Sequence, residues 1–367
     1  MTFDFETIID RRGKDAVAVD APAVQMSGGF FPETKVQEEF SIIPMWVADM
    51  NFQTAPAVAQ AIRSRADHHL YGYFLPPSQY FQSIINWQKE RNGVTDLKPE
   101  HIGYENGVLG GVVSALRILC SNGDPVLVQT PTYVGFTHSL EDNGWKSVLN
   151  PLKRDAEGIW RMDYEDMERK IIENHVHAAI FCSPHNPSGR VWQAWEIEKA
   201  MEIFARHDVY VIADEIWSDL TLPGYHHIPT QSVSEDARNR TIALYSPSKA
   251  FNLAGLVGSY HIVYNAYLRD RIRREATMTH YNHMNVLSMH ALMGAYSEQG
   301  AKWLDALREV IADNQKTAVD FIRKNLPGVR VDMPEGTYML FLDCTQWCQM
   351  PVSYTHLRAH ETGRNIV

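Results

Sequence analysis

The segment Ile242-Ala-Leu-Tyr-Ser-Pro-Ser-Lys249 joins a short apolar run to two serines and a lysine. Four apolar residues closed by a Ser-Pro pair predict a buried β-strand over 242–245. Lys249 would then follow the strand within one turn of chain. Since open α/β sheets bind ligands at the carboxyl ends of their strands, this segment indicates a candidate site as well as a strand.

Three segments upstream repeat this arrangement. Residues 126–129, 178–182 and 209–213 are apolar and rich in β-branched side chains, which predicts three more buried strands. Polar groups follow each of them: Thr130-Pro-Thr-Tyr133, Ser183-Pro-His-Asn186 and Asp214-Glu215. With Lys249, the four strand ends would bring an aromatic ring, an amide, a carboxylate and an amine to one rim of a sheet.

Each of these residues also has an ordinary structural explanation. A tyrosine after a strand commonly packs, an Asn-Pro pair forms a turn, an aspartate caps the next helix, and a single lysine is solvated. We favour a shared site because the four groups follow four strands that would end at the same edge.

Helical patterns between the strands define the expected fold class. Ile197, Ala200, Met201 and Phe204 recur at a spacing of three to four residues, as in an amphipathic helix. A fifth apolar run at 261–263 continues the series. Continuous apolar strands separated by helices predict an α/β fold with a largely parallel sheet covered on both faces.

The ends of the chain have a different pattern. Helices are expected over 56–66, 78–91 and 297–325, and short strands over 329–331 and 339–342. The third helix is expected to turn these side chains inward: Trp303, Leu304, Leu307, Val310, Ile311, Ala318, Phe321 and Ile322.

This contrast predicts two domains. We expect a large α/β domain over 46–265 and a small α+β domain built from 1–45 with 266–352. The segment 353–367 shares no pattern with what precedes it, and we expect it to be a non-native tail.

Composition limits the class of protein. The 367 residues include 34 basic and 44 acidic side chains, a formal charge of −10, which argues against a nucleic-acid partner. No apolar run approaches the length of a membrane span, and the first residues lack a signal pattern, so a cytoplasmic location is expected. Four cysteines are too few for a disulfide framework. The histidines lack metal-site spacing. Cys344 and Cys348 could form half a metal site, but no second cysteine pair or nearby histidine pair completes it, so no metal is expected.

The four groups at the predicted rim suit one cofactor. A lysine amine forms a Schiff base with an aldehyde, and a carboxylate keeps a pyridine nitrogen protonated so that the ring accepts electrons. An aromatic side chain stacks on a planar ring, an amide bonds a ring oxygen, and a helix start holds a phosphate. These are the requirements of pyridoxal 5′-phosphate (PLP).

The chain resembles the fold-type-I PLP enzymes of aminotransferase class I/II, and within them the cystathionine β-lyase-like C–S lyases of the MalY/PatB type. The resemblance covers about residues 1–345. Its motifs are Met45-Trp-Val-Ala-Asp-Met50, Tyr71-Gly-Tyr73, Thr130-Pro-Thr-Tyr133, Ser183-Pro-His-Asn-Pro-Ser-Gly189, Asp214-Glu-Ile216, Ser246-Pro-Ser-Lys-Ala-Phe-Asn-Leu-Ala-Gly255 and Gly336-Thr-Tyr338. It implies a mostly parallel seven-stranded sheet between helices and a small α+β domain that is incomplete at the C-terminus.

The resemblance also implies roles for residues around the cofactor ring. Lys249 would be the Schiff-base lysine and proton shuttle, and Asp214 would pair with the pyridinium nitrogen. Asn186 would bond the ring oxygen, Tyr133 would stack on the ring, and Trp217 would stand near the ring oxygen, where relatives have His or Tyr.

Further implied roles concern the phosphate, the substrate and the partner subunit. Ser246, Ser248 and the main-chain N–H groups of Val108 and Leu109 would hold the phosphate. Tyr71 would reach the phosphate of the neighbouring subunit's cofactor, which implies a homodimer. The main chain at Ala48, with Asn186, would contact the substrate carboxylate.

The implied activity is β-elimination from cystathionine or a cysteine S-conjugate, giving a thiol, pyruvate and ammonia. Val257 stands where aminotransferases have an arginine, eight residues after the lysine, which favours a lyase. Asn51 departs from the usual aspartate of the lyase pattern. An aminotransferase on the same scaffold and a non-catalytic PLP-binding regulator are the alternatives. In this family a C-terminal arginine binds the substrate carboxylate; we expect that the segment 353–367 replaces it.

Overall fold

A seven-stranded sheet lies at the centre of the computed structural model, which describes residues 3–24, 43 and 45–348. Across the sheet the strands stand in the order β1-β9-β8-β7-β6-β2-β3. The strands of the described residues are β1 (Ile102–Glu105), β2 (Pro125–Thr130), β3 (Lys146–Pro151), β4 (Lys153–Arg154), β5 (Trp160–Arg161), β6 (Ala178–Cys182), β7 (Tyr210–Asp214), β8 (Thr241–Tyr245), β9 (Ser259–Ile262), β10 (Arg330–Val331) and β11 (Leu342–Asp343).

The sheet is mostly parallel, which confirms the predicted fold class. Neighbouring strands from β3 to β8 pair in parallel, and β9 runs antiparallel to both β8 and β1. The five predicted strands lie within two residues of their expected bounds. The edge strands β1 and β3 were not expected from the sequence.

Helices cover both faces of this sheet. The predicted helix over 56–66 is found at those residues, and the other two are found within one residue of their expected bounds. The described helices are α1 (Val17–Val24), α2 (Pro56–Ala66), α3 (Ser78–Asn92), α4 (Val108–Leu119), α5 (Val134–Asp142), α6 (Tyr164–Asn174), α7 (Ala194–Arg206), α8 (Glu235–Arg240), α9 (Ala266–Thr279), α10 (Val286–Ala295), α11 (Glu298–Asn325) and α12 (Thr345–Cys348).

Alternate side chains of each strand enter two different cores, because successive residues of a strand point to opposite faces. Val126 and Ile180 pack with α4, α5 and α9 on one face. Leu127 and Phe181 pack with α6 and α7 on the other face. A third core joins the neighbourhood of β8 and β9 to α2, α3, α10 and α11. The sheet is therefore packed on both faces, and this packing holds the carboxyl ends of its strands in fixed positions.

Two expectations for the C-terminal part need correction. Phe321 on α11 is 59% exposed, and Gln315 and Val319 are buried instead. The strand expected over 339–342 is limited to Leu342–Asp343, where it pairs with β10. Residues 353–367, the expected non-native tail, lie outside the described residues.

Within the part of the chain that the structure describes, no helix is long and apolar enough to cross a membrane.

Candidate active site

The carboxyl ends of β2, β6, β7 and β8 carry the four side chains that the sequence singled out. These strands are parallel neighbours, with Cys182 opposite Asp214 and Asp214 opposite Leu244. Asn186 and Lys249 follow the same rim, each on the loop after its strand. The predicted convergence of strand ends is therefore present in the fold.

Asp214 is a buried carboxylate that forms no ion pair with any of the described residues. Its Oδ1 accepts a hydrogen bond of 3.0 Å from the Ile216 N–H. Burial raises the pKa of Asp214 to about 7, against this hydrogen bond and the nearby Lys249 charge, which lower it. A carboxylate in this state is ready to pair with a positive group brought into the site.

The Lys249 amine points into the same space. Its Nζ donates to the Ala48 carbonyl at 3.0 Å and lies 5.8 Å from the centre of the Trp217 ring. Burial lowers the pKa of Lys249, while the carboxylates of Asp214 and Asp49 oppose that change. Lowering favours the neutral amine, the form that acts as a nucleophile or base.

Aromatic and amide side chains surround this pair. Trp217 is buried and meets Tyr338 edge to face, with ring centres 4.8 Å apart. Burial raises the pKa of the Tyr133 hydroxyl, and the Asp214 charge adds to the effect. Asn186 is also buried, and its Oδ1 has no hydrogen-bond partner among the described residues. Such an atom calls for a hydrogen-bond donor, which none of the described residues supplies.

A second group of atoms lies at the start of α4. Gly107 precedes this helix with φ +77°, a conformation that favours glycine. The first N–H groups of a helix, here including Val108 and Leu109, have no acceptor within the helix and attract anions. A side chain added at Gly135 would meet both Tyr133 and Leu109, so the helix start and the Tyr133 ring lie side by side.

The loop that carries Lys249 begins and ends on neighbouring strands, β8 and β9. Ser246 Oγ donates to the Gly258 carbonyl at 2.5 Å across the neck of the loop. The same oxygen accepts a hydrogen bond from the Ser248 N–H at 3.1 Å. Both serines are thus fixed beside the lysine.

Tyr71 belongs to a different part of the surface. It is 56% exposed, its hydroxyl donates to the Ala66 carbonyl at 2.7 Å, and Arg65 lies over its ring. Its expected role concerns a neighbouring subunit, and it remains a prediction.

Three residues near the amine had no role assigned from the sequence. Asp49 and Tyr338 lie within quoted motifs, but only the folded chain brings them to Lys249 and Trp217. Arg11 forms an ion pair with Asp49 at 2.5 Å. Nothing in the local sequence distinguishes Arg11 from the adjacent Arg12.

Comparisons with known proteins identify the family of this chain. A family model described as aminotransferase class I and II matches residues 42–365. Cystathionine beta-lyase PatB of Bacillus subtilis is 36% identical over 82% of this chain and 77% of its own length. Protein MalY of Escherichia coli is 30% identical over 93% and 84%, respectively.

Solved structures extend the likeness to three dimensions. Cystalysin from Treponema denticola, which contains pyridoxal 5′-phosphate, has a TM-score of 0.86 at 31% identity, over 94% of this chain and 84% of that one. The PLP-bound C–S lyase from Staphylococcus hominis has a TM-score of 0.83 at 32% identity, over 94% and 83%.

The sheet order and the lysine–carboxylate rim define a fold-type-I enzyme of the PLP-dependent class. The chain belongs to the aminotransferase class I and II family.

Proposed function

We propose that this chain is a PLP-dependent C–S β-lyase acting on cystathionine or a cysteine S-conjugate. The observation that carries the proposal is the buried Lys249 amine beside the buried Asp214 carboxylate at the rim of the sheet. The names of the relatives, cystathionine beta-lyase and C–S lyase, support the reaction type.

The residues fit the cofactor by their chemistry. A buried carboxylate suits a protonated ring nitrogen, and a glycine-led helix start suits a phosphate. The side-chain N–H of the buried Asn186 amide can donate to a ring oxygen. When bound, PLP supplies an aldehyde for the amine and an electron-accepting ring.

Lys249 and Asp214 would carry the proton chemistry. Lys249 would hold the cofactor, and its Nζ would accept the α-proton of the substrate. Asp214 keeps the ring nitrogen protonated through its negative charge. Tyr133 stacks on the ring and orients it, and Trp217 contributes an indole N–H that donates but does not titrate.

Phosphate and substrate would be held by neighbouring groups. Ser248 and the N–H groups of Val108 and Leu109 would bind the phosphate. Ser246 would bind it as well once its hydroxyl turns away from the Gly258 carbonyl, to which it donates here. The main chain at Ala48, together with Asn186, binds the substrate carboxylate.

A homodimer would complete the site, with Tyr71 reaching the cofactor phosphate of the partner subunit. The exposed side chains of Leu70, Tyr71, Tyr73 and Leu75 support an interface at this segment. We also propose the division into a large domain over 46–265 and a small domain from 1–45 with 266–352. The free cysteines support a reducing, cytoplasmic location.

The decisive assay gives the full chain cystathionine without any 2-oxo acid. A lyase releases pyruvate and a thiol under these conditions. Turnover that requires a 2-oxo acid would identify an aminotransferase, and bound PLP without turnover of any amino acid would identify a regulator.

Lys249→Ala should abolish the absorbance band of the Schiff base between the lysine and PLP, since the amine that forms the covalent bond is gone. Lys302→Ala is the matched control, because Lys302 lies on the surface of α11 and, among the described residues, pairs with Glu298 alone. A Schiff-base band that survives in Lys249→Ala would refute the assigned lysine.

A further inference from the structure

The carbonyl that meets Lys249 belongs to a loop that is held from two sides. Residues 48–52 are contacted on one side by Asn252, whose Nδ2 donates to the Met50 carbonyl at 2.9 Å. Asn252 lies three residues after Lys249, so the two loops are joined at a second point beside the amine contact.

On the other side, the loop is held by one guanidinium from the N-terminal segment. Arg11 Nη2 bonds Asp49 Oδ2 at 2.5 Å, and Nη1 donates to the Met50 carbonyl at 3.3 Å and to Asn51 Oδ1 at 3.1 Å. A planar guanidinium that engages three acceptors fixes orientation more firmly than an ammonium would. Arg11 and Asp49 are only 20% and 25% exposed.

The segment that presents Arg11 is itself anchored. Phe5 contacts Phe52 edge to face at 5.5 Å and packs on Trp303 of α11 at 5.7 Å. The guanidinium therefore connects the loop to an N-terminal segment that is itself packed against the rest of the protein.

We propose that Arg11 is a positioning residue of this active site: it compensates the Asp49 carboxylate and fixes residues 48–52 so that the Ala48 carbonyl meets the Lys249 amine. The inference rests on the proposed function in taking Lys249 as the cofactor-binding amine.

The charges around the amine give the proposal an electrostatic consequence. Lys249 is faced by Asp214 from the end of β7, by Asp49 from the loop and by the Trp217 ring. Asp49 in turn faces Arg11 and Tyr338, and burial together with the Asp49 charge raises the pKa of Tyr338. Without Arg11, the Asp49 charge would act on Lys249 uncompensated and favour its protonated form.

The test measures the amine directly in the full chain without PLP. Lys249 is acetylated in competition with a reference amine across a pH series, and its modification is quantified by mass spectrometry. Arg11→Gln should raise the apparent pKa of Lys249 by about one pH unit, the usual size of such charge effects. Asp49→Asn should lower the apparent pKa of Lys249. In the double variant, which combines Arg11→Gln with Asp49→Asn, the increase caused by Arg11→Gln alone should be absent.

Arg12→Gln is the matched control, because Arg12 is 80% exposed and its side chain pairs, within the described part of the chain, with Asp10 alone. Arg11→Lys should restore part of the wild-type value, since it returns the charge without the planar fork. If Arg11→Gln does not fold, the apparent pKa of Lys249 in Asp49→Asn and in Arg11→Lys still tests the proposal.

Equal apparent pKa values of Lys249 in the wild type, Arg11→Gln and Asp49→Asn would overturn the proposal. The labelling needs neither bound cofactor nor turnover. A chain that fails as a lyase therefore refutes the proposed function without altering the result for Arg11.

Discussion

Asp214 shows how a single buried carboxyl makes stability depend on pH. Its pKa in the folded chain is raised from 3.8 to about 7. The folded state thus binds this proton more tightly than the unfolded state does. The contribution is present at low pH and is lost as the pH rises through about 7.

We predict that this dependence disappears in Asp214→Asn. Between pH 4 and 7 the cofactor-free wild type should lose about 4 kcal/mol of unfolding free energy relative to the variant, since one pKa unit is worth 1.36 kcal/mol. Urea unfolding at several pH values measures the difference. Parallel profiles for the two proteins would contradict the assigned ionisation.

The sequence predicts a site residue when the residue follows a recognisable strand. Tyr133, Asn186, Asp214 and Lys249 all do, and the fold brings their strand ends to one rim. Arg11 and Asp49 were missed for a physical reason. They are separated by 38 residues of chain. An arginine in a polar segment has no local sequence pattern that would identify its partner.

At the level of elements, hydrophobic periodicity predicts buried strands well and edge strands poorly. The outer strand β3 alternates exposed and buried residues and contains Asn150 and Pro151, so it lacks a continuous apolar run. The short β1 includes Gly103 and Glu105. The direction of β9 was unpredictable because a fully buried strand has the same composition in either orientation.

Helix α10 packs closely on α2 at a glycine. A Cβ added to Gly294 would lie 2.7 Å from the Ala57 carbonyl oxygen and 2.9 Å from Val58 Cα. Both are backbone atoms of α2 and do not move aside easily. The small side chain therefore determines the distance between the two helices.

We predict that Gly294→Ala lowers the free energy of unfolding by about 1–3 kcal/mol, the usual cost of overpacking. Gly255→Ala serves as the control, since no described residue other than its two chain neighbours has an atom within 4 Å of the added Cβ. Chemical denaturation compares the two variants. Equal stability of both would show that α2 and α10 separate without cost.

On the scale of the whole molecule, a charged network joins the C-terminal segment to the Asn186 loop. Arg190 bonds Glu335 at 2.5 Å and Glu196 at 2.6 Å, and Glu196 also pairs with Arg161. The Gly336 N–H donates to the Gly189 carbonyl nearby. These contacts hold the segment that carries Tyr338 against the loop that carries Asn186.

We predict that Glu335→Gln destabilises the chain by about 2–4 kcal/mol, because the buried Arg190 loses one of its two carboxylate partners and must share Glu196 with Arg161. The affinity for PLP should fall as well, since the Asn186 loop loses a support. Asp320→Asn breaks an exposed pair with Lys316, the one ion pair of Asp320 among residues that the structure describes, and should change little. Thermal unfolding and PLP titration test both variants. An unchanged affinity of Glu335→Gln for PLP would show that the charged network does not support the cofactor site.

The hydrogen bond from Ser246 to Gly258 closes the neck of the lysine loop within a single sheet. The chain therefore loses the conformational freedom of this loop when it folds, and little is left to lose when a ligand arrives. The rate of ligand binding would then be limited by the encounter with the ligand and by bond formation, because the backbone of the loop does not need to rearrange. An inserted residue between the two anchors would transfer that entropic cost from folding to binding.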